Sequence, residues 1–240
     1  MIGLGTLINT GAIIVGGLLG MLIGRALKEK IQDGLIKACG VATMFISIAG
    51  ALEGMLELTD GQLVSGKGLM IVLCLTIGTL IGELIDLEDG FERFGEWLKK
   101  KTGNAKDARF VDAFVTTSLT VCIGAMAIVG SIQDGLLGDY STLAIKAVLD
   151  FIILIVLASS LGKGSIFSAI PVFVIQGGMT LLARFISPIF SDSAISNISM
   201  IGSILIFCVG INLVWGKKVR VANMLPALVL AVVFAFLPWF

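Results

Sequence analysis

Apolar residues in this chain do not alternate or recur on one face of short amphipathic elements; they run in blocks of about twenty, broken by short polar stretches. A helix needs about 20 mainly apolar residues to cross roughly 30 Å of hydrocarbon. Eight blocks meet that description: Leu4 to Gly24, Ile31 to Leu52, Gly68 to Ile85, Phe110 to Gly130, Thr142 to Gly162, Ser165 to Ile186, Ala194 to Trp215 and Val221 to Trp239. The pattern predicts an all-α, polytopic helical membrane protein of about eight transmembrane helices, with residues 1–240 as a single integral membrane domain.

One polar stretch is long enough to hold structure of its own. In residues 86–109, Leu87, Phe91, Phe94 and Leu98 fall at helical spacing, with acids early and Lys99 to Lys101 late. An amphipathic helix lying on the cytoplasmic leaflet is expected there, its ends matched to the helix dipole and its basic run to anionic headgroups. A solvated linker is the plainer alternative.

Composition agrees with this class: 57% of the 240 residues are hydrophobic and 14% charged, with no net charge. Placing the N-terminus outside puts 14 of the 17 basic residues in cytoplasmic segments and leaves Lys67, Lys146 and Arg184 on or near the outer side. Positive-inside topology then predicts both termini outside. Met1 to Thr10 lacks a basic n-region, so no cleaved signal is expected. With no His and four scattered Cys in spans, the chain offers no His-based zinc site, haem attachment or Ser-His-Asp triad. No enzymatic activity, cofactor, metal or nucleic-acid partner is expected.

The charges that break the apolar pattern carry the candidate chemistry. Lys146 and Asp150 lie four residues apart inside the fifth block, on one helical face, roughly 6 and 12 Å deep. An ionised group at such depth faces a partner or a water-filled route. One reading makes Asp150 a binding carboxylate for a proton, cation or substrate amine, with Lys146 as an exchangeable internal counter-ion; the other makes them a structural ion pair. In the sixth block, Pro171 followed by Gln176, Gly177 and Gly178 is expected to interrupt the helix. Asn9 and Asn212 are further amides in hydrocarbon, and with Gln176 they are candidate site lining. Gln133, Asp134 and Asp139 are placed in a Gly-rich outer loop above the charged helix, as cation guides or as turn chemistry. The hydroxyls of Thr116, Thr117, Ser118 and Thr120 are expected to bond back to their own helix.

Two glycine patterns bear on architecture. Gly16, Gly20 and Gly24 form a stripe that admits close approach of another helix, within the chain or in a homodimer. Gly40 and Phe45 are echoed by Gly202 and Phe207, and Gly16 by Gly178, which would make spans one to three and six to eight inverted repeats.

The segment from Gly124 to Thr142, through Lys146 to Asp150, with Gly5-Thr-Leu-Ile-Asn-Thr-Gly, Gly16-Gly-Leu-Leu-Gly and Val219-Arg-Val-Ala-Asn-Met-Leu-Pro-Ala, resembles the bacterial membrane family called domain of unknown function 554, the YdfK- and YqgA-like proteins. The resemblance implies an inner-membrane protein and weight on Gln133, Asp134, Gly135, Asp139, Lys146 and Asp150, but names no substrate. Together these readings favour a secondary transporter of a small polar or charged solute or ion, with the bilayer and that solute as partners. A passive channel and a structural or regulatory membrane protein are the alternatives.

Overall fold

The computed structural model describes residues 2–59, 61–123, 125–186 and 190–236. The expected loop Ser187 to Asn197 and the last span's Trp239 reach outside that range. Ten helices are described: α1 (Leu4–Ala26), α2 (Glu29–Met55), α3 (Gly68–Ile85), α4 (Leu87–Lys101), α5 (Phe110–Cys122), α6 (Ala125–Leu137), α7 (Ser141–Leu161), α8 (Ala169–Ile186), α9 (Asp192–Trp215) and α10 (Pro226–Phe234). Short 3-10 turns at Lys163–Ser168 and Val221–Met224 lead into α8 and α10. Between α2 and α3, strands β1 (Leu56–Thr59) and β2 (Gln62–Ser65) form an antiparallel hairpin that the block pattern does not announce.

The chain is a polytopic helical membrane protein, and the distribution of side chains shows why. α1 buries Gly5, Thr6, Asn9, Gly16, Gly20 and Gly24 while Leu7, Val15, Leu18 and Leu22 are exposed. Small and polar residues face the bundle and large apolar ones face outward, the reverse of a water-soluble core. Among the described residues, six helices are long and apolar enough to cross a bilayer, or seven if α5 and α6 count as one bent span. Of the expected eighth, the first residues form a 3-10 turn and, among the described residues, Pro226–Phe234 is α-helical.

The interrupted span is the fourth, not the sixth. α5 and α6 meet at a bend of 63° after Ile123. Pro171 does not break α8, because it is the helix's third residue, where backbone N–H groups have no intrahelical acceptor to lose. Gln176 to Gly178 continue within the helix.

Glycines set the pairings. An added Cβ at Gly16, Gly20 or Gly24 would come within 2.6, 2.5 and 2.4 Å of the backbone oxygens of Phe151, Ile155 and Ser159, so α1 runs parallel to α7 in backbone contact. The stripe is therefore filled within the chain. Gly40 meets Gly210 and Leu213 while Gly54 meets Met200, which makes α2 and α9 antiparallel; Gly78 and Gly82 do the same for α3 against Ala227 and Asn223 at the start of α10. These directions bring the start of α1 and the end of α10 to one end of the bundle. The glycines of the internal echo occupy different settings: Gly16 abuts α7, whereas Gly178 has open space.

At the opposite end, α4 turns off α3 at Asp86, whose left-handed backbone (φ 55°) ends one helix while its carboxylate accepts from the Asp89 N–H to start the next. Gly95 lets α4 lie against Phe114 and Val111 of α5, and Phe94 stacks on Trp97 and tilts against Phe114.

Candidate functional site

Asp150 is the tenth residue of the 21-residue α7, about 14 Å along a helix of about 31 Å, and so near its middle. Its Oδ1 accepts from the Lys146 ammonium at 2.9 Å. The two side chains are 4% and 9% exposed, which removes both charges from lipid and from open solvent. Four-residue spacing on one helix makes the pair possible, and burial makes it obligatory, because either charge alone would be left unpaired in low dielectric.

On one side of the pair lies a network of amides. The Asn9 amide of α1 donates to Gln176 Oε1 of α8 at 3.2 Å, and the same Asn9 side chain faces the Asp150 carboxylate. Thr6 and Thr180 bring their hydroxyl oxygens to 3.5 Å nearby. Three buried atoms in this group have no protein partner: Asp150 Oδ2, Asn9 Oδ1 and Gln176 Nε2. Orphaned polar atoms at that depth cost free energy unless a ligand or water meets them. Two acceptors and one donor are thus available around one carboxylate.

The same pair lines a cavity of about 250 Å³ at the α5–α6 bend. Lys146 and Asp150 form its charged wall, Thr43, Thr120 and Ser199 add hydroxyls, and Ile123 and Ile206 are among its apolar residues. α2, α5, α6, α7 and α9 all contribute, and the lining includes the outward-facing Ile46 and Leu149. Thr43 and Ser199 carried no sequence signal, because a single hydroxyl in an apolar block is ordinary. Thr120 does bond back to the Thr116 carbonyl at 2.8 Å as expected, but the buried hydroxyls of Thr117 and Ser118 have no partner.

The remaining candidates are placed elsewhere. Gln133 and Asp134 belong to α6 rather than to a loop. Asp134 is fully buried and accepts from the backbone N–H groups of Gly3 and Gly5, both at 3.1 Å, so it caps α1 from a distance. Gln133 Oε1 accepts from the Thr142 hydroxyl at 2.7 Å and ties α6 to α7. Asp139 stays in the exposed loop, where its carboxylate accepts from the Ser141 N–H at 3.0 Å at the start of α7. The Ser141 hydroxyl and amide hold its carboxyl below the usual aspartate range. Asn212 is not near Asp150: its Oδ1 accepts from the Lys218 and Val219 N–H groups at 2.8 and 2.9 Å, and its amide donates to the Val219 carbonyl at 2.7 Å. It closes the turn after α9. Of the eight candidates, the structure brings together Asp150, Lys146, Asn9 and Gln176, and gives Asp134, Gln133, Asp139 and Asn212 local structural bonds.

The profile of the family described as "Protein of unknown function (DUF554)" matches residues 4–236, which takes in every element from α1 to α10. The chain belongs to that family. It is 31% identical over 232 residues to the "Uncharacterized membrane protein YdfK" of Bacillus subtilis (strain 168), covering 97% of this chain and 95% of that protein. It is 30% identical over 246 residues to the "Uncharacterized protein YqgA" of Escherichia coli (strain K12), covering 99% of each. No solved structure matches. For this member of DUF554, the membrane assignment thus rests on its own apolar helices together with a relative so described.

Proposed function

We propose that this DUF554 protein is a secondary transporter of a small cationic or polar solute in the bacterial inner membrane, with Asp150 as the binding carboxylate and Lys146 as its internal counter-charge. The observation that carries the reading is the cavity of about 250 Å³ walled by that pair in mid-bundle, beside the break between α5 and α6. Interrupted spans at mid-membrane are where transporters expose backbone and side chains to cargo. A purely structural ion pair needs neither a cavity nor unpartnered acceptors beside it. The antiparallel directions of α2 with α9 and α3 with α10 agree with inverted repeats of spans one to three and six to eight.

Orientation follows from charge. Arg25, Arg109 and Lys163 line a common hollow at the end opposite the start of α1, and Lys217 and α4 are at that end too. Positive-inside topology makes that end cytoplasmic, puts both termini outside and lays α4 on the inner leaflet.

Reconstituted protein compared with Asp150→Asn in proteoliposomes, across cations, amino acids and organic acids, tests the proposal. Saturable flux of at least one solute is expected in the native protein, with a loss of at least tenfold in the variant while it still purifies as a folded protein. Equal flux in both samples, or none across the screen, sinks the reading; flux that does not saturate favours a passive channel.

A further inference from the structure

A second cavity, of about 280 Å³, opens at the end of the bundle where α4 docks. Its polar lining is Glu88 and Glu92 of α4, Asp112 and Thr116 of α5, and Asn212 and Lys217 at the end of α9. Lys217 bridges the acids: its ammonium lies 2.7 Å from Glu88 Oε1 and also bonds Glu92. Burial pulls the Lys217 ammonium down, but the bonds and charges of Glu88 and Glu92 outweigh it and hold it above the ordinary lysine value.

Lys217 alone does not complete this site. The Glu88 side chain is 3% exposed, yet its Oε2 is buried with no partner. A buried carboxylate oxygen costs free energy unless a donor or cation meets it. Docking of α4 is already secured by the Asn223 side chain, which accepts from the Glu88 N–H at 2.7 Å, and by Arg220 on Glu83 and Asp86. Glu88's free oxygen is surplus to that docking.

This cavity and the one at Asp150 lie on the same two helices. Thr116 and Leu119 of α5 and Val209 of α9 line the first; Thr120 and Ile123 of α5 and Ile206 of α9 line the second. The two sets are three or four residues apart, about one helical turn, or roughly 5 Å of rise. Leu119, Ile123 and Val209 belong with buried Leu157 and Leu205 to one apolar cluster, so side chains rather than backbone separate the cavities. Each cavity is lined by the same pairing, a carboxylate with one oxygen on a lysine ammonium and the other buried without a partner.

From this repetition we infer that Glu88, with Glu92 and Asp112, forms a second binding station for a small primary-ammonium cation, at the α4 end of the bundle and separated from the Asp150 station by the Leu119, Ile123 and Val209 seal. In each station the tethered lysine already shows the ligand's geometry: an ammonium on a carboxylate at 2.7 Å on Glu88 and 2.9 Å on Asp150. A free ammonium group takes the vacant oxygen and competes with the lysine for the other. The inference rests on the transport reading for the order of events, since the stations would be filled in turn as cargo passes the seal.

Equilibrium dialysis of the full-length protein in detergent against radiolabelled methylammonium tests it without requiring transport. Native protein is expected to hold two methylammonium ions, Glu88→Gln one, and Asp150→Asn one. Charged hydrogen bonds contribute about 1.5 to 3 kcal/mol, so Glu88→Gln should weaken its station at least about tenfold. Lys217→Gln removes the half-exposed competitor and should tighten the same station about threefold, a gain that damage to the fold does not produce. Unchanged binding in Glu88→Gln, or weaker binding in Lys217→Gln, overturns the second station and leaves the Asp150 reading standing. Absence of flux, with the Glu88-dependent binding present, sinks transport but not the station. Competition by ammonium chloride and potassium chloride separates recognition of an N–H cation from recognition of any monovalent ion: displacement by potassium at equal concentration overturns the ammonium assignment.

Discussion

At the scale of single residues, the polar groups in the apolar blocks divide by whether their bonds are complete. Asp134 is complete: both oxygens hold backbone N–H groups of the first turn of α1. Asp134→Ala should therefore cost about 1 to 3 kcal/mol, read as a lower thermal midpoint in detergent, with no change in solute affinity. Asp139 is exposed and caps α7 with its charged form, its carboxyl held below the ordinary range by Ser141. A lowered folded value means that its contribution is present above the unfolded aspartate value and disappears as pH falls through the lowered one. The thermal midpoint of Asp139→Ala should accordingly lie below that of the native protein at neutral pH and converge with it in acid. Asp150 is incomplete, with Oδ2 free, and belongs to a different class from the two capping aspartates. The sequence put all three in one candidate group because side-chain chemistry does not reveal which backbone N–H groups a fold will deliver; Gly3 and Gly5 are separated from Asp134 by most of six helices.

Among elements, the helices were legible and their interruptions were not. Long apolar blocks specify α1, α2, α3, α7 and α9 almost to their ends, because satisfying the backbone in hydrocarbon leaves little choice. Pro171 is the most visible helix breaker in the sequence, but a proline in the first turn removes no bond. α5 ends at Cys122, where the sequence offers only Gly124, one of 30 glycines and so inconspicuous. The glycine stripe was legible as a contact and not as a contact with α7, since parallel helices far apart in sequence can meet only after folding. Gly20→Ala tests the approach: its Cβ would stand 2.5 Å from the Ile155 oxygen, and overpacking of this kind costs about 1 to 3 kcal/mol. A drop in thermal midpoint is expected, and an unaltered midpoint would mean that α1 and α7 are less tightly apposed than described.

For the whole molecule, the topology proposed from the basic residues and the bundle directions is one that labelling can check. With single cysteines introduced in a background lacking Cys39, Cys74, Cys122 and Cys208, a membrane-impermeant thiol reagent added to intact cells should modify a cysteine at Asp139 and spare one at Lys100; the reverse pattern would invert the protein. The pair at the centre then has an electrical consequence. Lys146 and Asp150 sum to zero, so in the proposed transporter the empty form would move no charge between its two faces, whereas a loaded one would carry the charge of its cargo. For a monovalent cation, each loaded passage is worth about 2.3 kcal/mol per 100 mV of membrane potential. Under that proposal a negative cell interior would drive such a cargo inward by voltage alone, and the ion pair would make the return journey electrically silent.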